Sequence, residues 1–107
     1  MKNKKTFYGN ALLDAEDLKD KVNKYPIALE YYKISNKRKG LVNEEYEVYG
    51  VEIIKKEYIG EEIKTESNRI DNITKNEETL DKVIKLLKDN TVTPISLDDV
   101  INDMFIQ

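Results

Sequence analysis

The chain lacks three residue types on which much of enzyme chemistry depends. Its 107 residues contain no histidine, no cysteine and no tryptophan, and only two prolines and four glycines. Without histidine the most common general base is missing, and without cysteine there are no thiol nucleophiles, disulfides or thiolate metal ligands. We therefore predict a protein that is not an enzyme, with no catalytic residues, no metal site and no cofactor.

Long apolar runs are absent as well. The basic start, Met1 to Lys5, resembles the first part of a signal peptide, but Leu12 and Leu13 lead directly into charged residues instead of an apolar segment. No stretch has the length and hydropathy of a membrane span. Because the missing cysteines also fit a reducing compartment, we predict a cytoplasmic protein with no membrane partner.

The composition bounds the size and class of the fold. Hydrophobic residues make up 39% and charged residues 36% of the chain, and the net charge is -3. A chain of this length forms one domain, and its apolar residues fall into periodic segments that argue against general disorder. We predict a single α+β domain over residues 10–107, preceded by a disordered segment at residues 1–9.

The first periodic segment indicates a helix. Asn10 is a suitable N-cap, and Pro26 disfavours a helical conformation at Tyr25, which would end the helix. The apolar stripe at helical spacing consists of Ala11, Ala15, Leu18 and Val22. We therefore predict an N-terminal helix in addition to the elements that follow.

The middle of the chain has the composition of β-strands. Ile27–Ser35 and Glu44–Tyr58 are rich in aromatic and β-branched residues, and the polar segment Asn36–Gly40 between them predicts a turn in which the glycine can take a positive φ. Glu62–Arg69 follows a turn at Gly60 and has the charge of an exposed edge strand. These segments predict a three-stranded antiparallel meander.

The long strand contains a change of phase. Its apolar residues alternate at Tyr46 and Val48, then shift by one position to Tyr49, Val51 and Ile53. Because a glycine lies at the shift, we predict a β-bulge beside Gly50.

Two amphipathic helices close the chain. We predict the first over Thr74–Asp89, with a capping box from Thr74 to Glu77, and the second over Ser96–Phe105 with Ser96 as N-cap. The stripes predicted to pack on one sheet face are Leu80, Val83, Ile84 and Leu87, and Leu97, Val100, Ile101, Met104 and Phe105. The predicted fold is therefore α+β, with this C-terminal helical pair on one face of the meander.

Three segments resemble a known family. They are the strand Tyr49–Glu57, the capped helix that follows Thr74, and the ending Val92–Asp103. Over roughly residues 28–105, the chain resembles small uncharacterised soluble proteins of spore-forming Gram-positive bacteria, a domain of unknown function. The resemblance implies a small soluble intracellular protein and implies no activity, cofactor or site residue.

Tyrosines are unusually frequent for so few phenylalanines, seven against two. Tyrosine is enriched at protein interfaces because it combines an apolar ring with a polar tip. The candidate contact residues on the predicted strands are Tyr31, Tyr32, Tyr46 and Tyr49. The alternative is a thin sheet whose inner residues reach partly into water. The first reading predicts an interaction module that binds an unknown partner protein or a second copy of itself.

Basic residues concentrate at the first predicted turn. They are Lys33, Lys37, Arg38 and Lys39, and tyrosines lie close by in the sequence. Basic side chains interleaved with aromatic rings on a sheet bind single-stranded nucleic acid, which makes weak nucleic-acid binding the alternative function. Lysines also solubilise hairpin tips, and the acidic net charge makes a nucleic-acid partner the less favoured reading.

Two groups of carboxylates could be functional sites or ordinary surface side chains. Asp98, Asp99 and Asp103 could bind a hard cation, but aspartates at a helix N-terminus also stabilise the helix dipole. Glu45 and Glu47 could form an acid–base pair, yet they alternate with Tyr46 and Val48 as on a solvated sheet face. We interpret both groups as ordinary surface side chains. We therefore predict a non-enzymatic interaction or regulatory module.

Overall fold

The structure, a computed structural model, describes residues 3–13 and 26–105, and it is α+β with an antiparallel sheet and C-terminal helices, as predicted. Its sheet has four strands in the order β1-β2-β3-β4, one more than predicted. The strands are β1 (Asn3–Leu13), β2 (Ile27–Lys39), β3 (Glu45–Ile59) and β4 (Glu62–Thr74). The helices are α1 (Glu77–Asp89) and α2 (Leu97–Phe105), and a 3-10 turn (Pro94–Ser96) precedes α2.

Strand β1 lies where a disordered segment and the start of a helix were predicted. Residues 3–9 belong to this strand, and Asn10–Leu13, predicted as the first helical turn, continue it in register with β2. The predicted N-terminal helix is therefore wrong at its start, and its remainder lies outside the described residues. Ala11 packs against the core while Leu12 is 72% exposed. Here strand pairing with β2 overrides the local helical pattern, because helix propensity takes no account of contacts with distant residues.

The β2–β3 hairpin is longer than predicted, and its turn lies further along the chain. Strand β2 continues through the predicted turn as far as Lys39, because Asn36 is buried in the sheet rather than exposed in a loop. The connection is closed by the Gly40 N–H, which donates to the Glu44 carbonyl at 2.8 Å. The positive φ falls on Asn43, at 61°, instead of on the glycine.

The predicted irregularity beside Gly50 is confirmed in the pairing of β3 with β4. The register shifts between Tyr49 and Val51, although the pairing of β3 with β2 is continuous. A Cβ at Gly50 would lie 2.0 Å from the Ile70 carbonyl oxygen, so only glycine permits this approach of β4. The apolar pattern shifts by one residue here because Val48 is buried on one face of the sheet, whereas Val51 and Ile53 are buried on the other face.

Both C-terminal helices pack on the same sheet face. Helix α1 begins later than predicted, whereas α2 begins at Leu97, directly after Ser96, as predicted. Asn76, rather than Thr74, is the N-cap of α1, and its side chain accepts a hydrogen bond from the Thr79 N–H. Thr74 ends β4, and its hydroxyl accepts from the Asn76 N–H at 3.1 Å, so the predicted capping box does not form. Ser96 is the last residue of the 3-10 turn instead of the N-cap of α2.

The core lies between the helices and one half of the sheet. The apolar stripes of α1 and α2 meet strand residues that alternate on one face of β2 and β3. The buried members are Ile27, Leu29, Tyr31, Val51, Ile53, Leu80, Val83, Ile84, Leu87, Leu97 and Ile101. We call this part of the sheet the covered half.

Beyond Tyr31, the same face of β2 turns from apolar to polar, at Lys33, Ser35, Lys37 and Lys39. We call this segment, with its neighbours on β1 and β3, the open half, because the apolar stripes of the helices do not extend over it. The molecule is accordingly elongated and measures 55 × 32 × 17 Å.

Candidate interaction site

The open half contains a polar groove of about 790 Å³. Strand register builds it, because Lys4 lies opposite Ser35 in one pair of strands, and Ser35 opposite Tyr49 and Lys37 opposite Glu47 in the next. Its lining residues are Lys4, Thr6, Lys33, Ser35, Lys37, Glu47, Tyr49 and Glu77. We call this site the open groove.

One wall of the open groove is a bridge between β2 and α1. The Lys33 ammonium donates to Glu77 at 2.6 Å and to Asp81 at 3.0 Å, and it lies 5.7 Å from the centre of the Tyr49 ring. Partial burial acts to lower the Lys33 pKa, but the hydrogen bonds to the two carboxylates together raise it. Lys33 is therefore a charged link that fixes the start of α1 against the sheet.

The floor of the open groove is organised around Glu47. Its carboxylate oxygen Oε2 accepts from the Ser35 hydroxyl at 2.9 Å and from the Tyr49 hydroxyl at 3.0 Å. The hydrogen bond from Ser35, followed by that from Tyr49, lowers the Glu47 pKa, and the positive charges of Lys37 and Lys4 act in the same direction. Burial and the bond to Glu47 raise the Tyr49 pKa. The floor is thus an anion held by two hydroxyls, with two lysines nearby.

Lys4 and Lys37 differ from Lys33 in their partners. Both are exposed, and no carboxylate of the described residues lies within 4 Å of either ammonium. Their long side chains can therefore reach an incoming anion without breaking an ion pair. Counting the charged lining residues, three lysines against two glutamates, the groove has a net positive charge within an acidic chain.

The four tyrosines predicted as contact residues do not share one surface. Tyr49 lies in the open groove, while Tyr32 is on the opposite face, where it stacks edge-on against Phe7. The Tyr46 ring, also on that opposite face, is covered by the Lys75 ammonium at 4.4 Å. Of these four tyrosines, only Tyr49 therefore lines the open groove.

Tyr31 is a core residue rather than a contact residue. It is fully buried, and its hydroxyl donates to the Val92 carbonyl at 2.9 Å, which ties β2 to the connection between the helices. Burial raises the pKa of Tyr31 to about 12. It cannot touch a partner while this fold is intact.

The four basic residues predicted as a nucleic-acid patch are dispersed as well. Lys33 is held by two carboxylates, and Arg38, on the opposite face, donates to Asn72 at 3.3 Å. Lys37 and Lys39 remain on the open half, where each lies opposite a glutamate of β3. The arrangement does not form the continuous positive track that a phosphate backbone follows.

The two groups of carboxylates considered for chemistry lie in different parts of the fold, on α2 and on β3. The described residues contain no group of three or more carboxylates placed to hold a metal ion. Asp98, at the start of α2, accepts a hydrogen bond from Asn68 at 3.4 Å. Glu45 and Glu47 lie on the same face of β3 and on the solvent-facing open half.

In the part of the chain that the structure describes, no helix is long and apolar enough to cross a membrane.

Sequence reasoning found Lys33, Lys37 and Tyr49 but missed other parts of the groove. Lys4 and Thr6 were missed because residues 1–9 were predicted to be disordered, so they had no place in a sheet. An extra strand could have been suspected from Thr6-Phe7-Tyr8, three consecutive residues of high β propensity.

A comparison with protein families matches most of the chain. The model of the Family of unknown function (DUF6514) matches residues 12–107. The chain belongs to this family. DUF6514 membership confirms the predicted resemblance to a domain of unknown function and extends it to the segment before β2. No curated protein and no solved structure matches the chain.

Proposed function

We propose that this DUF6514 protein is a non-enzymatic interaction module that binds an acidic segment of a partner protein in the open groove. The observation that carries the proposal is that, in the described part of the chain, α1 and α2 cover only part of the sheet and leave a polar groove with net positive charge. Three strands and the start of α1 contribute to it, so the groove is preorganised by the sheet rather than by a flexible loop.

The chemistry of the groove favours carboxylates as ligands. Lys4 on β1 and Lys37 on β2 line the open groove together with Glu47, and each can donate to an incoming carboxylate in a charge-assisted hydrogen bond. Ser35 and Tyr49, which already donate to a carboxylate in the free protein, show that this position accommodates one. A partner carboxylate could compete for these donors, with the lysines balancing the added charge.

A titration with a short glutamate-rich peptide, followed by amide chemical shifts, tests this proposal. We expect shifts that cluster at β1, β2 and β3 around the open groove and that are lost in the double variant Lys4→Glu/Lys37→Glu. Glu47→Gln, which removes the internal anion, should strengthen binding. Lys64→Glu/Lys82→Glu is the matched control, because it changes the net charge equally at exposed positions that do not line the groove.

The alternative, nucleic-acid binding, predicts another result from the same experiment. A single-stranded oligonucleotide would then bind more tightly than the peptide, with an affinity that falls steeply as salt rises. Unchanged spectra with the peptide, or equal loss in the control variant, would contradict the open groove as a protein-binding site.

We further infer that the protein acts in the cytoplasm of a spore-forming Gram-positive bacterium. This inference is supported by the sequence resemblance and by the absence of cysteine, which fits a reducing compartment. Fractionation of cells that express a tagged chain would test the compartment.

A further inference from the structure

A second surface lies at the other side of the molecule, along the outer edge of β4. Strand β4 ends the sheet order, so half of its backbone N–H and C=O groups point away from β3. The Arg69 N–H is one of these, since it donates to the Asn68 side chain at 2.8 Å instead of to a neighbouring strand. Because outward groups recur at every second residue, the N–H of Ser67 points outward too. This edge has hydrogen-bonding capacity for another strand.

The edge is bordered by a groove rather than by open solvent. Two cavities, of about 390 Å³ and about 480 Å³, lie between β4 and the segment from Pro94 to Phe105, and both are lined by Asp98. The Asn68 amide crosses between the two walls, donating to the Pro94 carbonyl at 3.1 Å. We call the two cavities together the β4–α2 groove.

The β4–α2 groove has an apolar part and an acidic part. In the first cavity, Ile70, Ile73 and Ile101 form an apolar pocket beside Phe105, which is 44% exposed. The charged residues that line the groove are Glu66 and Asp98, both acidic. An apolar side chain flanked by basic ones would complement this lining.

We propose that an extended, basic segment of a partner protein adds to β4 as a fifth strand in the β4–α2 groove. Its backbone pairs with the outward groups of β4, one apolar side chain enters the pocket beside Phe105, and a lysine or arginine faces Glu66 and Asp98. Strand addition of this type takes its affinity from main-chain hydrogen bonds and its specificity from pockets for alternate side chains. A second copy is the poorer occupant, because symmetric pairing would bring two acidic grooves together.

The surface is distinct from the open groove in place and in charge. The open groove is lined by β1, β2, β3 and α1 and is net positive, whereas the β4–α2 groove is lined by β4 and α2 and is acidic. The two proposals therefore require opposite ligands and fail independently of each other.

The test uses the full chain and the synthetic peptide Thr-Lys-Thr-Phe-Thr-Lys-Thr, whose phenylalanine and lysines share one face of an extended strand. We expect amide shifts in β4 and α2, slower hydrogen exchange at Ser67 and Arg69, and no change in the mass of the protein measured by light scattering. Ser67→Pro removes an outward N–H without removing a bond to β3, and it should weaken binding by about tenfold. Asp98→Lys, at an exposed position, should weaken it by a similar factor even if the proline variant does not fold.

The controls separate strand addition from simple charge attraction. The peptide Pro-Lys-Pro-Phe-Pro-Lys-Pro, which has the same net charge, should not bind, because its prolines remove backbone donors of the strand. Lys4→Gln/Lys37→Gln, which alters the open groove with fewer added negative charges, should bind the basic peptide as the unaltered protein does. The proposal would be overturned if Ser67→Pro and Asp98→Lys bound the peptide as tightly as the unaltered protein. It would also be overturned if the amide shifts mapped to the open groove, or if no amide shifted at millimolar peptide. If light scattering of the protein without peptide gave a mass above that of one chain, and Ser67→Pro lowered it, the edge would serve self-association instead.

Discussion

The covered and open halves of the sheet share two strands but have different physical roles. In the covered half, residues such as Leu29 and Ile53 are fully buried against helical residues such as Ile84. In the open half, the corresponding face bears Ser35, Lys37 and Glu47, which bond to each other or face water. On this face, apolar burial is concentrated in one half and polar recognition groups in the other, so substitutions on it should have separable effects in the two halves.

The largest effect should come from the centre of the covered half. Ile84→Ala removes a fully buried side chain and should lower the free energy of unfolding by about 2–5 kcal/mol. Leu12→Ala, at a 72% exposed position of β1, should change it by less than about 0.5 kcal/mol. Urea melts of both variants check this order. A larger loss for Leu12→Ala would mean that the core is anchored by β1.

Tyr31→Phe tests the polar contact at the border of the two halves. Loss of the hydrogen bond to the Val92 carbonyl leaves a partly buried acceptor without this donor and should cost about 1–2 kcal/mol. The Tyr31 pKa is raised from 10.0 to about 12, so the folded state keeps a proton that the unfolded state loses. Stability due to this group is therefore complete below pH 10 and declines up to about pH 12. Melts of Tyr31→Phe across that range should show a smaller decline than those of the unaltered chain.

Asn36→Leu should raise the free energy of unfolding, because Asn36 is a polar residue at a buried position. The Asn36 side chain is 3% exposed, and neither its nitrogen nor its oxygen has a hydrogen-bond partner among the described residues. Replacing this amide with an apolar group of similar size removes its desolvation cost, for an expected gain of about 1 kcal/mol. A lower urea midpoint in the variant would contradict this account of Asn36.

The smallest effect should come from the bridge between the open half and α1. Lys33→Met removes the ion pairs to Glu77 and Asp81, whose carboxyl side chains are 56% and 51% exposed. Exposed pairs contribute little, so we expect a loss of about 0.5–1 kcal/mol that shrinks at high salt. Hydrogen exchange should accelerate at the first turn of α1 and not at its last turn. Faster exchange throughout α1 would mean that Lys33 stabilises the whole helix.

The helices were predictable because their signal is local. The apolar residues of α1 repeat at a spacing that can be read within 13 residues, and all four predicted stripe residues of α1 are buried. The start of α1 was misplaced because both Thr74 and Asn76 can cap a helix, and the tertiary course of β4 decides between them.

The strands and the open groove were only partly predictable because their signal is not local. Strand β1 exists through its pairing with β2, and a buried Asn36 cannot be distinguished by residue type from an exposed turn residue. The open groove depends on the register of three strands, so Lys37 and Tyr49 could be nominated while Lys4 could not.

The elongated form of the molecule affects how its size must be measured. The radius of gyration is 15.8 Å, whereas a compact domain of this length has about 13 Å. A single chain of this shape diffuses more slowly than a sphere of equal mass and leaves a gel-filtration column early, at the position of a larger protein. Elution volume would therefore overstate its mass, and any stoichiometry assigned to its complexes should come from light scattering or sedimentation equilibrium.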